Sequence, residues 1–153
     1  MSSKFQYYFL SVTCTLILVT VLSACGRKTP VRPPELVAPE PINDLQAEVK
    51  DKAIRLQWGR PQEYVYGGEL DDLAGFVISR ATRNGTGQSS TFTQIAIVPV
   101  EDRDRFRQAK KFNYTDEQLS AGTLYRYRVQ AFTLDGYYSK PSNIVEVAWQ
   151  KGP

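Results

Sequence analysis

The run Tyr125-Arg126-Tyr127-Arg128-Val129-Gln130-Ala131 alternates bulky apolar or small residues with polar ones. Successive side chains of a β-strand point to opposite faces, so this pattern describes a strand with one buried face and one wet face. The same period returns along the chain. Ile54, Leu56 and Trp58 share one face of a second segment. Further β-rich runs lie at 76–80 and 92–98, and Phe112, Tyr114 and Asp116 mark a short one. Residues 143–149 supply the last, with Ile144, Val145 and Val147, and Ile42, Leu45 and Ala47 suggest an imperfect first strand. Seven short strands with turn signals between them predict an all-β sandwich. Beyond Cys25 no stretch of about a dozen residues carries a helical stripe. Residues 42–150 suffice for one core that buries about 65% of the unfolded surface.

The first 25 residues obey a different rule. Lys4 is their only charge, and residues 9–22 are mostly apolar. That run is shorter than the ~20 residues needed to span a bilayer. It is also interrupted by Ser11, Thr13, Thr15 and Thr20. A basic start, an apolar middle and small residues before a cut describe a secretory signal peptide. Its end, Leu22-Ser23-Ala24-Cys25, resembles the lipobox of bacterial lipoproteins. The resemblance implies a signal peptide at 1–24, cleavage before Cys25, diacylglycerol on the Cys25 sulfur and acylation of the new amino terminus. Cys25 is then a lipid anchor and not a reactive thiol, and the expected partner is a membrane. Each buried CH₂ adds about 0.8 kcal/mol, so several acyl chains hold firmly. The expected location is the bacterial cell envelope. Gly26 stands where an Asp would signal retention, which favours the outer over the inner membrane.

Residues 25–41 hold Pro30, Pro33, Pro34, Pro39 and Pro41. Proline lacks the N–H that ladders and helices use, so the stretch reads as a semi-rigid spacer reaching at most ~50 Å. A proline-rich ligand for a partner is the other reading. Arg27, Lys28 and Arg32 stand beside the anchor and can meet anionic headgroups.

From Pro41 to Trp149 the chain resembles a fibronectin type III domain. Pro41 to Ala47 is similar to that family's opening, and Leu56-Gln57-Trp58 to its second strand. Phe76 to Arg80 is similar to its third strand. Leu119 to Tyr125 resembles the corner before its sixth strand, with Gly122 near the place of the usual proline. The resemblance implies a seven-stranded immunoglobulin-like sandwich. It implies that Trp58 fills the centre and that Tyr125 buries its ring while bonding its hydroxyl to backbone just upstream. No Arg-Gly-Asp is present, so integrin-type adhesion does not carry over.

Composition narrows the chemistry. The chain has 153 residues, no histidine, and only Cys14 and Cys25 as cysteines. His-based catalysis is excluded, and the domain has no thiol nucleophile, disulfide or Cys-based zinc site. The net charge of +3 gives no reason to expect nucleic acid. Neither cofactor nor metal is expected, and no nucleophile motif marks an enzyme. The family architecture gathers the connections 59–73, 99–111 and 134–142 at one end. They carry Tyr64, Tyr66, Tyr137 and Tyr138, the candidate binding residues, because tyrosine joins a flat apolar face to a polar tip. Loop acids Glu63, Glu69, Asp71 and Asp72 match no calcium-loop spacing. The charged run 101–111 reads as a solvated, internally paired loop. Arg126 and Arg128 are expected on the outer face of their strand with Arg80 beside them. Asn84-Gly85 reads as a tight turn. The functional expectation is a non-enzymatic envelope lipoprotein whose domain binds a protein or polysaccharide through the tyrosine-bearing pole. The alternative is an accessory subunit of an envelope assembly, pairing through strand edges and related to lipopolysaccharide.

Overall fold

Two antiparallel sheets face each other in the computed structural model, which describes residues 33–83, 87–105 and 110–150. The expected signal peptide and lipidated Cys25, the basic residues Arg27, Lys28 and Arg32, Asn84-Gly85 and part of the charged run lie outside the described residues. One sheet has the order β1-β2-β5, from Gln46–Lys50, Ala53–Gly59 and Lys111–Asp116. The other has the order β4-β3-β6-β7, from Thr93–Pro99, Leu73–Arg83, Thr123–Thr133 and Val145–Trp149. These are the seven strands of the expected sandwich. A single helical turn, Asp102–Arg105, interrupts the β4–β5 connection.

The alternating residues close the core. Ile54, Leu56 and Trp58 of β2 and Phe112 of β5 face Phe76 and Ile78 of β3 and Tyr125, Tyr127, Val129 and Ala131 of β6. Trp58 is fully buried, with its ring edge-on to Phe76 at 5.4 Å, and Phe76 meets Phe112 at 4.6 Å. Each such buried side chain contributes about 1.5–3 kcal/mol. The two central strands outrun their apolar pattern, since the β3–β6 ladder runs from Leu73↔Thr133 to Arg83↔Leu124. β1 starts later than its pattern suggests. Ile42 and Leu45 are buried in the lead-in, where Asn143 brackets Leu45 by accepting from its N–H (3.1 Å) and donating to its carbonyl (2.9 Å).

At one end, the corner pole, the Ser120 N–H donates to the Tyr125 hydroxyl at 2.7 Å, as the resemblance implies. Gly122 turns there at φ 75° and donates to the Trp149 carbonyl. A left-handed residue is what glycine accepts without strain, so it serves where proline is usual. Asp116 is buried beside this corner. It accepts from Arg80 Nη1 (2.7 Å), the Tyr127 hydroxyl (2.8 Å) and the Gln118 N–H (3.1 Å). This corrects the expected place of Arg80. It has the parity of Phe76 and Ile78 and therefore faces inward. Burial alone would lower its pKa, but the hydrogen bond and charge of Asp116 outweigh that and raise it. Burial, then Asp116, pushes the Tyr127 phenol well above its ordinary value. Arg126 and Arg128 do share the outer face, where both lie over Phe92 at 5.5 and 4.4 Å.

The spacer ends earlier than expected. The Glu40 N–H donates to the Glu63 carbonyl, Val65 N–H to Ala38, and Tyr66 N–H to Leu36, at 3.0, 3.0 and 3.2 Å. Ala38 and Pro39 are buried. Prolines tolerate an edge position, and the residues between them supply the bonding groups. The packed body thus begins at about Leu36 rather than Ile42.

Candidate functional site

The opposite end, the loop pole, is formed by the β2–β3 and β6–β7 connections and the incoming chain at 36–40. Residues 62–70 make a small hairpin, with Glu63 and Glu69 bridged and Leu70 N–H donating to the Gln62 carbonyl. Its tip is a tight turn. Gly67 N–H donates to the Tyr64 carbonyl at 2.8 Å, and Gly67 has φ 88°. Turn centres are usually polar or flexible. Here they are Val65, 45% exposed, and Tyr66, 38% exposed.

Tyr64 does not join this exposed surface, which corrects its sequence assignment. Only 8% of it is accessible. Its hydroxyl lies 2.7 Å from Asp72 Oδ1 and 2.9 Å from Asp71 Oδ1. Burial, then these two carboxylates, raises its pKa far above the usual phenol value. The ring instead backs Tyr66, stacked at 5.1 Å and 10°. The binding role predicted for Tyr64 becomes one of support.

The β6–β7 connection builds a second turn. Gly136 N–H donates to the Thr133 carbonyl, and Gly136 has φ 82°. Leu134, at this turn, is 59% exposed. Tyr137 is held by its N–H on Thr133 Oγ1 at 3.1 Å, with 37% of the residue exposed. Tyr138, 55% exposed, stacks on Phe132 at 5.5 Å. Phe132 covers Gly75, where a Cβ would come within 2.9 Å of the ring. Tyr138 therefore leans toward the outer face of the four-stranded sheet. The two connections are joined by Leu134 N–H donating to the Asp72 carbonyl at 2.9 Å. Tyr66, Tyr137 and Tyr138 thus keep exposed surface on these two loops, and Tyr64 does not.

Arg60 was not singled out from sequence. It is buried at the base of the hairpin and donates to the Leu70 carbonyl; burial lowers its pKa, and Glu69 and Asp71 partly offset that. A basic residue four positions before an apolar turn gives no signal that its head will fold inward. In the β4–β5 connection, Lys110 pairs with buried Asp104 and lies over Phe112, and Arg103 pairs with Glu101. In the described part of the charged run these pairs are internal, as expected, but Asp104 is buried and not solvated. Burial would raise the Asp44 pKa, but Lys111 and the Gly59 N–H outweigh it and hold the carboxyl below its ordinary value.

On the outer face of the three-stranded sheet lies an open groove of about 230 Å³. Lys50, Arg55, Asp51 and Glu117 line it with both signs of charge. Among the described residues no group of three or more His, Cys, Asp or Glu is placed to hold a metal ion. No described helix is long and apolar enough to cross a membrane.

Neither a family model nor a curated protein matches the chain. Solved structures do. The chain is similar to the twitchin kinase region of C. elegans, with a TM-score of 0.53 and 24% identity over 75% of this chain. It spans 17% of that larger chain. The sixth fibronectin type III domain of the human fibronectin type III domain containing protein 3 gives 0.53 at 17% identity, covering 84% of this chain and 97% of that one. The third fibronectin III domain of another human protein gives 0.52 at 10% identity, covering 84% and 96%. Residues 36–149 therefore have the fold of a fibronectin type III domain: an all-β, immunoglobulin-like sandwich.

Proposed function

We propose that this chain is a lipid-anchored, non-enzymatic lipoprotein of the bacterial cell envelope, whose fibronectin type III domain docks an envelope protein or polysaccharide. The fold alone assigns no activity, so the reading must rest on the chain's own features. The observation that carries it is a complete sandwich beginning about ten residues after a lipobox cysteine. The buried ionisable groups described above serve the fold: Asp116 holds Arg80 and Tyr127, and Asp71 and Asp72 hold Tyr64.

Two surfaces are open to a partner. One is the loop pole with Tyr66, Tyr137 and Tyr138. The other is a strand edge, the accessory-subunit reading. Exposed Ile97 on edge strand β4 favours it, although Pro99 and a register shift opposite Ile78/Ser79 limit how far a new strand can pair. The test is capture of the lipidated protein from cross-linked cells. A Cys25→Ser variant should lose both the acyl label and the membrane fraction. Tyr66→Ser/Tyr137→Ser/Tyr138→Ser and Ile97→Lys variants assign the partner to pole or edge. A cytosolic, unlabelled wild-type protein would end the anchor reading. A membrane-bound protein without any protein or glycan partner would end the docking reading.

A further inference from the structure

We infer that the loop pole rests on the bilayer surface, at headgroup depth, so that the domain stands pole-down on its own anchor. This rests on the lipid-anchor reading and names the occupant of one of its two open surfaces. Of the nine exposed large hydrophobic residues among the described residues, six belong to this pole and its incoming chain. They are Leu36, Val65, Tyr66, Leu134, Tyr137 and Tyr138. The structure links three of them, Leu36, Tyr66 and Leu134, in a chain: Tyr66 N–H donates to the Leu36 carbonyl, Tyr66 stacks on Tyr64, the Tyr64 hydroxyl bonds Asp72, and the Asp72 carbonyl takes the Leu134 N–H. Val65, Tyr66 and Leu134 sit at turn tips, the positions of a soluble domain that most often carry polar residues. Tyrosine with aliphatic neighbours is the composition favoured at the membrane–water boundary.

The anchor's geometry selects the lipid as occupant. The chain from Cys25 enters the body at Leu36, on this same pole. Eleven residue steps in extended polyproline-like form would span at most about 34 Å, and the Pro33–Leu36 turn, closed by the Leu36 N–H on the Pro33 carbonyl, shortens that reach. An eleven-residue strand such as β6 spans about 36 Å. To bring the corner pole to the lipid, the spacer would have to be fully stretched along the side of the body. Pole-down placement requires no extension. Arg27, Lys28 and Arg32 lie on the intervening spacer and complement anionic headgroups. Glu63 and Glu69, one bridge back from the Val65-Tyr66 tip, oppose deeper entry and set the depth at the headgroups.

The experiment uses the full lipidated protein in vesicles of phosphatidylethanolamine and phosphatidylglycerol that carry brominated acyl chains. The acylated, processed protein has no free thiol, so single cysteines can be labelled with an environment-sensitive fluorophore. Val65→Cys and Leu134→Cys report the loop pole, and exposed Glu117→Cys reports the corner pole. Brominated lipid should quench the first two several-fold more than the third, with a blue shift at Val65. A Tyr66→Ser/Tyr137→Ser background should reduce that contrast while the circular dichroism spectrum stays unchanged. Equal quenching at both poles, or stronger quenching at Glu117, overturns the orientation. Mass spectrometry of the same sample shows whether Cys25 carries the thioether lipid. Its absence sinks the anchor reading and the orientation with it, whereas a lipidated protein without contrast sinks the orientation alone.

Discussion

The corner pole and the loop pole both depend on tyrosine, and they use it in opposite ways. At the corner, Tyr125 and Tyr127 bury their rings, and each hydroxyl finds an internal partner, the Ser120 N–H and Asp116. At the loops, Tyr137 and Tyr138 keep more than a third of their surface exposed. Tyr64 is the instructive case, because it stands on the loop pole yet is built like a corner tyrosine, with Asp71 and Asp72 on its hydroxyl. A buried tyrosine needs a partner for its hydroxyl. The placement of carboxylates and backbone N–H groups, not the residue type, decides which tyrosines become structure.

That contrast can be broken most strongly at the corner. Asp116→Ala leaves the Arg80 charge and the Tyr127 hydroxyl without their partner, and a broken buried pair costs about 3 kcal/mol or more. Arg80 retains some solvent access, so the low end of that range is expected in urea denaturation. Tyr64→Phe should cost about 1.5 kcal/mol, the worth of a hydrogen bond to a charged group, and Tyr125→Phe about 1 kcal/mol. If Tyr64→Phe is silent, the loop pole has no structural tyrosine. Smallest of all, Tyr66→Ser, Tyr137→Ser and Tyr138→Ser should each stay within about 0.5 kcal/mol of the parent, as exposed substitutions do.

Alkaline titration sharpens the same contrast. Tyr64 and Tyr127 have folded pKa values raised above the unfolded value of about 10. Their contribution is complete below that value and is lost progressively as pH rises beyond it. Unfolding free energy should therefore fall above about pH 10, and Tyr64→Phe should flatten the fall. An unchanged slope in that variant would remove Tyr64 from the effect.

The strands were legible because parity is a strong signal: Ile54, Leu56 and Trp58, and Tyr125 through Ala131, all face as their alternation requires. Parity also encoded Arg80, two residues beyond Ile78, but its charge suggested solvent. The burial of Tyr64 was not legible, because it depends on a hairpin folding back to bring residues seven and eight positions away onto its hydroxyl. Nor was the docking of 36–40, since prolines mask a stretch whose intervening residues do the bonding. The candidate site was thus visible as a set of loop tyrosines, while the sorting of exposed from supporting ones was not.

The short clip between residues 36–40 and 63–66 has a mechanical consequence. The incoming chain crosses the hairpin from tip to base, from Leu36 beside Tyr66 to Glu40 beside Glu63. A pull on the N-terminal chain directed across the hairpin strands loads these bonds one after another, starting at Leu36, as in opening a zip, and not all at once. Releasing these five residues lengthens the spacer by about 17 Å at some 3.3 Å each. The Asn143 bracket on Leu45 would then take the load. The clip is expected to act as a slack reserve that yields before the sandwich does, and single-molecule pulling should show it as a small early extension ahead of unfolding.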